Sequence, residues 1–173
     1  FLLLSACSES QPTRLQGATM GTSYSVVIPH LPEGVTAKDL KQDIDALLEL
    51  INQQMSTYIP NSELSAVNQA EAEQWLPVSA ELFQVIQLAQ SVSEQSDGAF
   101  DITVGPLVNL WGFGPLDSEA TLREPSEEAL ETVRASTGYQ NLELDEAGQS
   151  VRKKAPGLYL DLSAIAKGYG VDA

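Results

Sequence analysis

The chain has 173 residues, a size that suits one domain with a real core. Its 24 acidic against 9 basic side chains give a formal net charge of −15. That balance excludes nucleic acid as a partner, because phosphate binding needs a basic face, and it equally opposes unaided binding of an anionic cofactor. One His, at 30, and one Cys, at 7, exclude a Cys/His zinc site and an intrachain disulfide within this chain.

The chain starts with Phe and stops at Ala173 just after a strongly patterned segment, so it reads as a fragment at both ends. FLLLSAC looks like the end of a signal peptide's apolar region followed by small residues. LSAC at 4–7 matches the bacterial lipobox, in which Cys7 is lipid-modified; the other reading is a buried Cys in an ordinary strand. Seven apolar and small residues cannot span a bilayer, so acyl chains such as palmitate would be the anchor. Residues 8–16 read as a short flexible tether.

TSYSVVI at 22–28 is β-branched and aromatic and predicts a strand ending at Pro29. Thr36 with Asp39 resembles a capping box, and Leu40, Ile44, Leu47, Leu48, Ile51 and Met55 recur at helical spacing over 37–55. Ser62 caps a short helix through about Asn68. A strand tip is expected at 75–78, and Ser79 caps a second long helix over 80–95, with Leu82, Phe83, Ile86 and Val92 inward.

The stretch SDGAFDITVGPLVNLWGFG, 96–114, combines dense glycine with bulky apolar residues. Such a composition is no linker, which would be Gly/Ser-rich and polar. It reads as ordered irregular backbone lining something, or as a tight structural loop under a core. Trp111 and Phe113 are core or pocket wall. For Asp101 the residues alone suggest a turn cap accepting the N–H of Thr103.

PLDSEATLREPSEE is a polar, acidic excursion, after which Ser126 caps a third helix over 127–136 that Gly138 ends. NLELD and SVRKK flank Glu146-Ala147-Gly148 as a hairpin. The closing LYLDLSAIAKGYGVD reads as a strand to Leu162, then a helix start capped by Ser163. An acid at a strand end beside a helix N-terminus, here Asp161, is a common place to bind a polar ligand; the alternative is a capped turn with no ligand. No repeat, low-complexity run or transmembrane span is found.

GAFDITVGPLVNLWGFG at 98–114 closely resembles the signature of the ApbE-type flavin transferases. TMGTSYSV at 19–26, MSTYIPNSELSAVN at 55–68 and DLSAIAKGYGVD at 161–172 resemble that family's other motifs in the same order, so the likeness covers nearly everything after Gly17. The resemblance implies an α+β fold, an antiparallel sheet with flanking helices, of which residues 17–173 would be the N-terminal part. It implies Mg²⁺-dependent transfer of FMN from FAD to a threonine hydroxyl of a target protein, with release of AMP. The family's usual targets are subunits of membrane redox pumps, and the place would be the periplasmic face of a bacterial membrane, held by a lipid anchor.

Residue by residue, the resemblance implies FAD contacts at Met20, Tyr58, Ala99, Phe100, Asp101, Asp161 and Lys167, and a Mg²⁺-binding backbone carbonyl at Ala164. Some family members carry Glu where Lys167 stands. Without the resemblance, Met20 reads as a gap-filling core residue and Tyr58 as an ordinary half-buried tyrosine. The resemblance implies that the family's other metal ligands fall beyond Ala173. The rival readings are FAD hydrolysis to FMN and AMP at the same site, a flavin-binding lipoprotein without chemistry, and, more distantly, a structural lipoprotein.

Overall fold

A computed structural model describes residues 11–115 and 124–173. They form two units, one up to Glu49 and one from Leu50.

In the first unit, β1 (Thr13–Thr19) pairs antiparallel with β2 (Thr22–Ile28) along all seven positions, from Thr13 opposite Ile28 to Thr19 opposite Thr22. The stretch expected to be a tether therefore begins the hairpin four residues early. Its Thr13-Arg14-Leu15-Gln16 alternates, and Leu15 is 5% exposed, so burial of one face holds it in a strand. Met20 and Gly21 form the two-residue connection, with φ of 49° and 69°. Positive φ at both central positions is the pattern of a type I′ turn, whose twist matches that of the strands it joins. Gly21 adopts it freely; Met20 does so under strain. Met20 is thus a half-exposed turn residue rather than a core filler.

Helix α1 (Ala37–Met55) begins as the Thr36 signal predicts, the Asp39 N–H donating to Thr36 Oγ1 at 3.1 Å. Within the first unit, the Tyr24 hydroxyl donates to Asp45 at 2.5 Å and Lys41 bridges to the same carboxylate at 2.6 Å. The hydrogen bond from Lys41 is the main cause that lowers the Asp45 carboxyl below its ordinary range.

The second unit carries α2 (Glu63–Gln69), β3 (Trp75–Pro77), α3 (Ala80–Gln95), α4 (Gly105–Leu110), α5 (Glu127–Arg134), β4 (Leu142–Asp145), β5 (Ser150–Lys153) and α6 (Ala166–Asp172). β5 lies between β3 and β4, antiparallel to both. Small antiparallel sheets with helices make this the expected α+β fold. The caps follow local chemistry: Ser62, Ser79 and Ser126 each accept a backbone N–H three residues on, typically worth about 1 kcal/mol of helix stability apiece. The core gathers Ile51 and Met55 from α1, Leu64 and Val67 from α2, Leu82, Phe83, Val85, Ile86 and Ala89 from α3, and Ile102, Leu142, Val151, Leu158, Leu160 and Leu162. Each large aliphatic side chain fully buried contributes about 1.5–3 kcal/mol. Val92, expected inward, is exposed.

Two readings are corrected. The 96–114 stretch is not irregular throughout: α4 forms within it, with Pro106 in its first turn, where a missing N–H costs nothing. Residues 158–162 are extended but form no ladder, making only one isolated parallel bridge, Tyr159 with Val104.

Candidate functional site

Leu158, Leu160 and Leu162 point into the core, which leaves Tyr159 half-buried and Asp161 at 9% exposure. In place of a ladder, this segment is held by single bonds. The Asp161 N–H donates to the Ile102 carbonyl at 2.8 Å. Leu160 donates to Asn68 Oδ1 at 2.7 Å and accepts from Asn68 Nδ2 at 2.9 Å. Gly105 lets the chain come close: a Cβ there would stand 2.6 Å from the Tyr159 carbonyl oxygen.

Asp161 Oδ1 accepts the Ser163 N–H at 2.7 Å, closing a turn on its own backbone. Its Oδ2 has no hydrogen-bond partner among the described residues. The Ser163 cap expected for the last helix is absent. α6 starts later, at Ala166, with Ile165 at its cap position and no side-chain cap bond. Asp161 takes the Ser163 N–H, the Leu162 carbonyl accepts from Ile165 and Ala166, and residues 163–165 form a turn. Ala164 is exposed in that turn, and its carbonyl receives no backbone N–H among the described residues. Lys167, in the first turn of α6, is exposed and forms no ion pair among the described residues.

Asp101 sits in a similar turn but is fully engaged. Its Oδ1 accepts both the N–H and the hydroxyl of Thr103, each at 2.7 Å, and its Oδ2 accepts the Tyr139 N–H at 2.9 Å. The Gly138 N–H then donates to Thr103 Oγ1 at 2.7 Å. This carboxylate ties the end of the 96–104 stretch to the segment after α5. What the 99–101 stretch leaves open is the exposed Ala99 and half-buried Phe100. Tyr58 is 62% exposed, and its hydroxyl donates to the Phe113 carbonyl at 2.7 Å. Phe113 itself is 68% exposed and Trp111 is also open, so these aromatics are surface rather than core.

The structure brings Tyr58, Asp161 and the 101–104 backbone together around Tyr159. Burial is the main cause that raises the Tyr159 phenol; a hydrogen bond from Asn68 opposes this, and the charges of Asp161 and Tyr58 add to it. Met20 lies in the first unit, at the hairpin turn. Cys7 lies outside the described residues. A groove of about 430 Å³ runs between α3 (Gln84, Val85, Leu88) and the Ala164, Ile165 and Gly168 side of the final segment. Neither Asp161 nor Lys167 lines it, so it is not where the candidate residues converge.

Sequence reading missed Asn68, Tyr159 and Lys153. The first reads as the tail of a short helix and the last as one base in a hairpin. Their contacts span large separations along the chain, 92 residues for Asn68 with Leu160 and 85 for Lys153 with Asn68, and no local pattern signals them. Among the described residues no three His, Cys, Asp or Glu side chains are grouped to hold a metal ion. A hard cation prefers oxygen ligands, and the Ala164 carbonyl, which takes no backbone N–H among the described residues, is an oxygen of that kind.

Residues 20–173 match the ApbE family. Over 173 residues the chain is 43% identical to an FAD:protein FMN transferase of Vibrio cholerae serotype O1, covering 99% of this chain and 51% of that protein. It is 38% identical to the FAD:protein FMN transferase of Escherichia coli strain K12, covering 94% of this chain and 46% of that one. The chain thus spans about half the length of the curated relatives it matches. Among solved structures, the flavin transferase ApbE from Vibrio cholerae superposes with a TM-score of 0.87 at 43% identity, over 94% of this chain and 51% of that one. The ApbE protein of Thermotoga maritima gives 0.84 at 32% identity, over 94% and 50%. With the α+β fold, the motif order and these matches in agreement, the chain belongs to the ApbE family.

Proposed function

We propose that the protein transfers FMN from FAD to a threonine hydroxyl of a target protein and releases AMP. The observation that carries this reading is the half-used carboxylate of Asp161, one oxygen closing its own turn and the other unpaired, with the open Ala164 carbonyl three residues on. In this reading Asp161 Oδ2 accepts a hydrogen bond from the FAD. Tyr58, Phe100 and Ala99 offer surface to its rings. Asp101 shapes the pocket through the backbone it fixes rather than through a free oxygen. Lys167 places a cation near the diphosphate in a chain whose net charge is −15. The Ala164 carbonyl would hold Mg²⁺, which supplies neutralisation of the pyrophosphate and of the departing AMP.

The threonine oxygen attacks the FMN-side phosphorus and gives its proton to solvent, the phosphoanhydride bond breaks, and AMP leaves with the bridging oxygen. What this chain's residues contribute is positioning and charge stabilisation. Cys7 would carry the acyl anchor, on the periplasmic face of a bacterial membrane, where subunits of membrane redox pumps are the expected acceptors.

The test incubates the full-length gene product with FAD, Mg²⁺ and an acceptor protein, and its Thr→Ala variant. In-gel flavin fluorescence and AMP are read together. Covalent flavin on the threonine acceptor alone, matched by AMP, is expected. AMP and free FMN without covalent flavin would make the enzyme a pyrophosphatase. FAD binding with no AMP would leave a flavin-binding protein without chemistry.

A further inference from the structure

Asn68 is the last-turn residue of α2 whose side chain does what a neighbouring strand would do elsewhere. Its Oδ1 takes the Leu160 N–H at 2.7 Å and its Nδ2 gives to the Leu160 carbonyl at 2.9 Å. A side-chain amide making both bonds to one residue copies the exchange of a paired strand residue. Asn68 is itself held from behind: Lys153 Nζ, on a side chain 4% exposed, donates to the Asn68 main-chain oxygen at 2.7 Å. No carboxylate among the described residues pairs with that ammonium, so the carbonyl is its anchor. The residue after Leu160 is Asp161, whose own N–H is bonded on the opposite side to Ile102. The carboxylate that the flavin reading needs is therefore placed by two clamps, Ile102 and Asn68, and by no sheet.

We infer that Asn68 is a positioning residue for the flavin site: by clamping the Leu160 peptide it fixes the direction in which the free oxygen of Asp161 points, without touching FAD itself. The inference rests on the flavin reading above. With Asn68→Ala, Leu160 loses both bonds and Asp161 keeps only Ile102 and its own turn. The carboxylate remains present but is no longer held in one orientation.

A double-mutant cycle in the full-length gene product tests this, with FAD affinity as the readout at saturating Mg²⁺ and the melting temperature recorded for every variant. Wild-type protein must first bind FAD; if it does not, the flavin reading fails and this inference falls with it. Given binding, Asn68→Ala should weaken FAD by about tenfold, the lower end of what losing a charge-assisted hydrogen bond gives. In the Asp161→Asn background the same change should weaken it by less than about twofold, because contacting residues that act through one another are not additive. Gln90→Ala is the control for plain destabilisation. Gln90 likewise donates from its amide to two backbone carbonyls, those of Tyr139 and Leu142 at 3.0 and 2.9 Å, neither of which belongs to the segment that carries Asp161. It should lower the melting temperature and leave FAD affinity unchanged. If Asn68→Ala does not fold, Asn68→Asp enters the cycle in its place, since it keeps the acceptor for the Leu160 N–H. Additive effects of Asn68 and Asp161, or a loss of affinity for Gln90→Ala equal to that for Asn68→Ala, would overturn the inference.

Discussion

The sharpest single test of the site is Asp161→Asn. The substitution keeps the shape of the side chain and the oxygen that accepts the Ser163 N–H at 2.7 Å. It removes the charge and replaces the unpaired oxygen by an amide NH₂. Asn and Asp cap backbone N–H groups about equally well, so the turn should lose only a few tenths of a kcal/mol. At about 2–4 °C per kcal/mol for a chain of this size, the melting temperature should move by about 1 °C or less. Affinity behaves differently. A charge-assisted hydrogen bond to FAD is worth about 1.5–3 kcal/mol, which is roughly tenfold to a hundredfold in Kd. Flavin fluorescence titration of both proteins at saturating Mg²⁺ measures this, with thermal unfolding run on the same samples. Unchanged affinity would reduce Asp161 to a turn cap and refute the assignment of its free oxygen.

Other consequences can be checked alongside. Asp101→Ala strands the Thr103 and Tyr139 N–H groups that its two oxygens now satisfy. It should cost about 2–4 kcal/mol of stability, read by urea unfolding; a loss below about 1 kcal/mol would contradict the clamp. Met20→Asn suits the positive φ of 49° far better than Met, so the protein should gain about 0.5–1 kcal/mol, read by urea unfolding. No gain in stability would remove the strain argument. Burial holds the Lys153 ammonium below its ordinary pKa of 10.5. Between the lowered folded value and 10.5 the unfolded chain therefore binds more protons, so this residue makes stability rise with pH through that window. The difference in unfolding free energy between wild type and Lys153→Met, followed from pH 7 to 10, should climb in wild type's favour; a flat difference would show that the lysine is not desolvated.

Features set by chemistry within a few residues were legible in the sequence. Thr36, Ser62, Ser79 and Ser126 announce helix starts because each accepts an N–H only three residues away. The hairpin of β4 and β5 was legible for the same reason. Asp101 and Asp161 mark the boundary of this power. Both stand two residues before a hydroxyl residue and both close the same turn onto it. The sequence reveals the turn, but whether the second oxygen is spoken for depends on Tyr139, 38 residues from Asp101. Helix α4 was hidden by the glycines around it, whose conformational freedom masks a short helical run. The last extended stretch looked like a strand because its Leu residues alternate, and alternation reports burial of one face rather than the presence of a ladder.

That stretch also bears on the order in which the protein folds. Leu158, Leu160 and Leu162 are among the most buried side chains of the second unit, yet the Asn68 clamp on Leu160 closes across 92 residues. Closing so long a loop carries an entropic cost that must be met before the contact rewards it. Helices α2 and α3, capped by their own serines, can form from local contacts well before this. The segment that orients Asp161 is then expected to dock late, onto a scaffold already in place. Amide exchange at Leu160 would report that step directly, since its N–H is released only when Asn68 lets go.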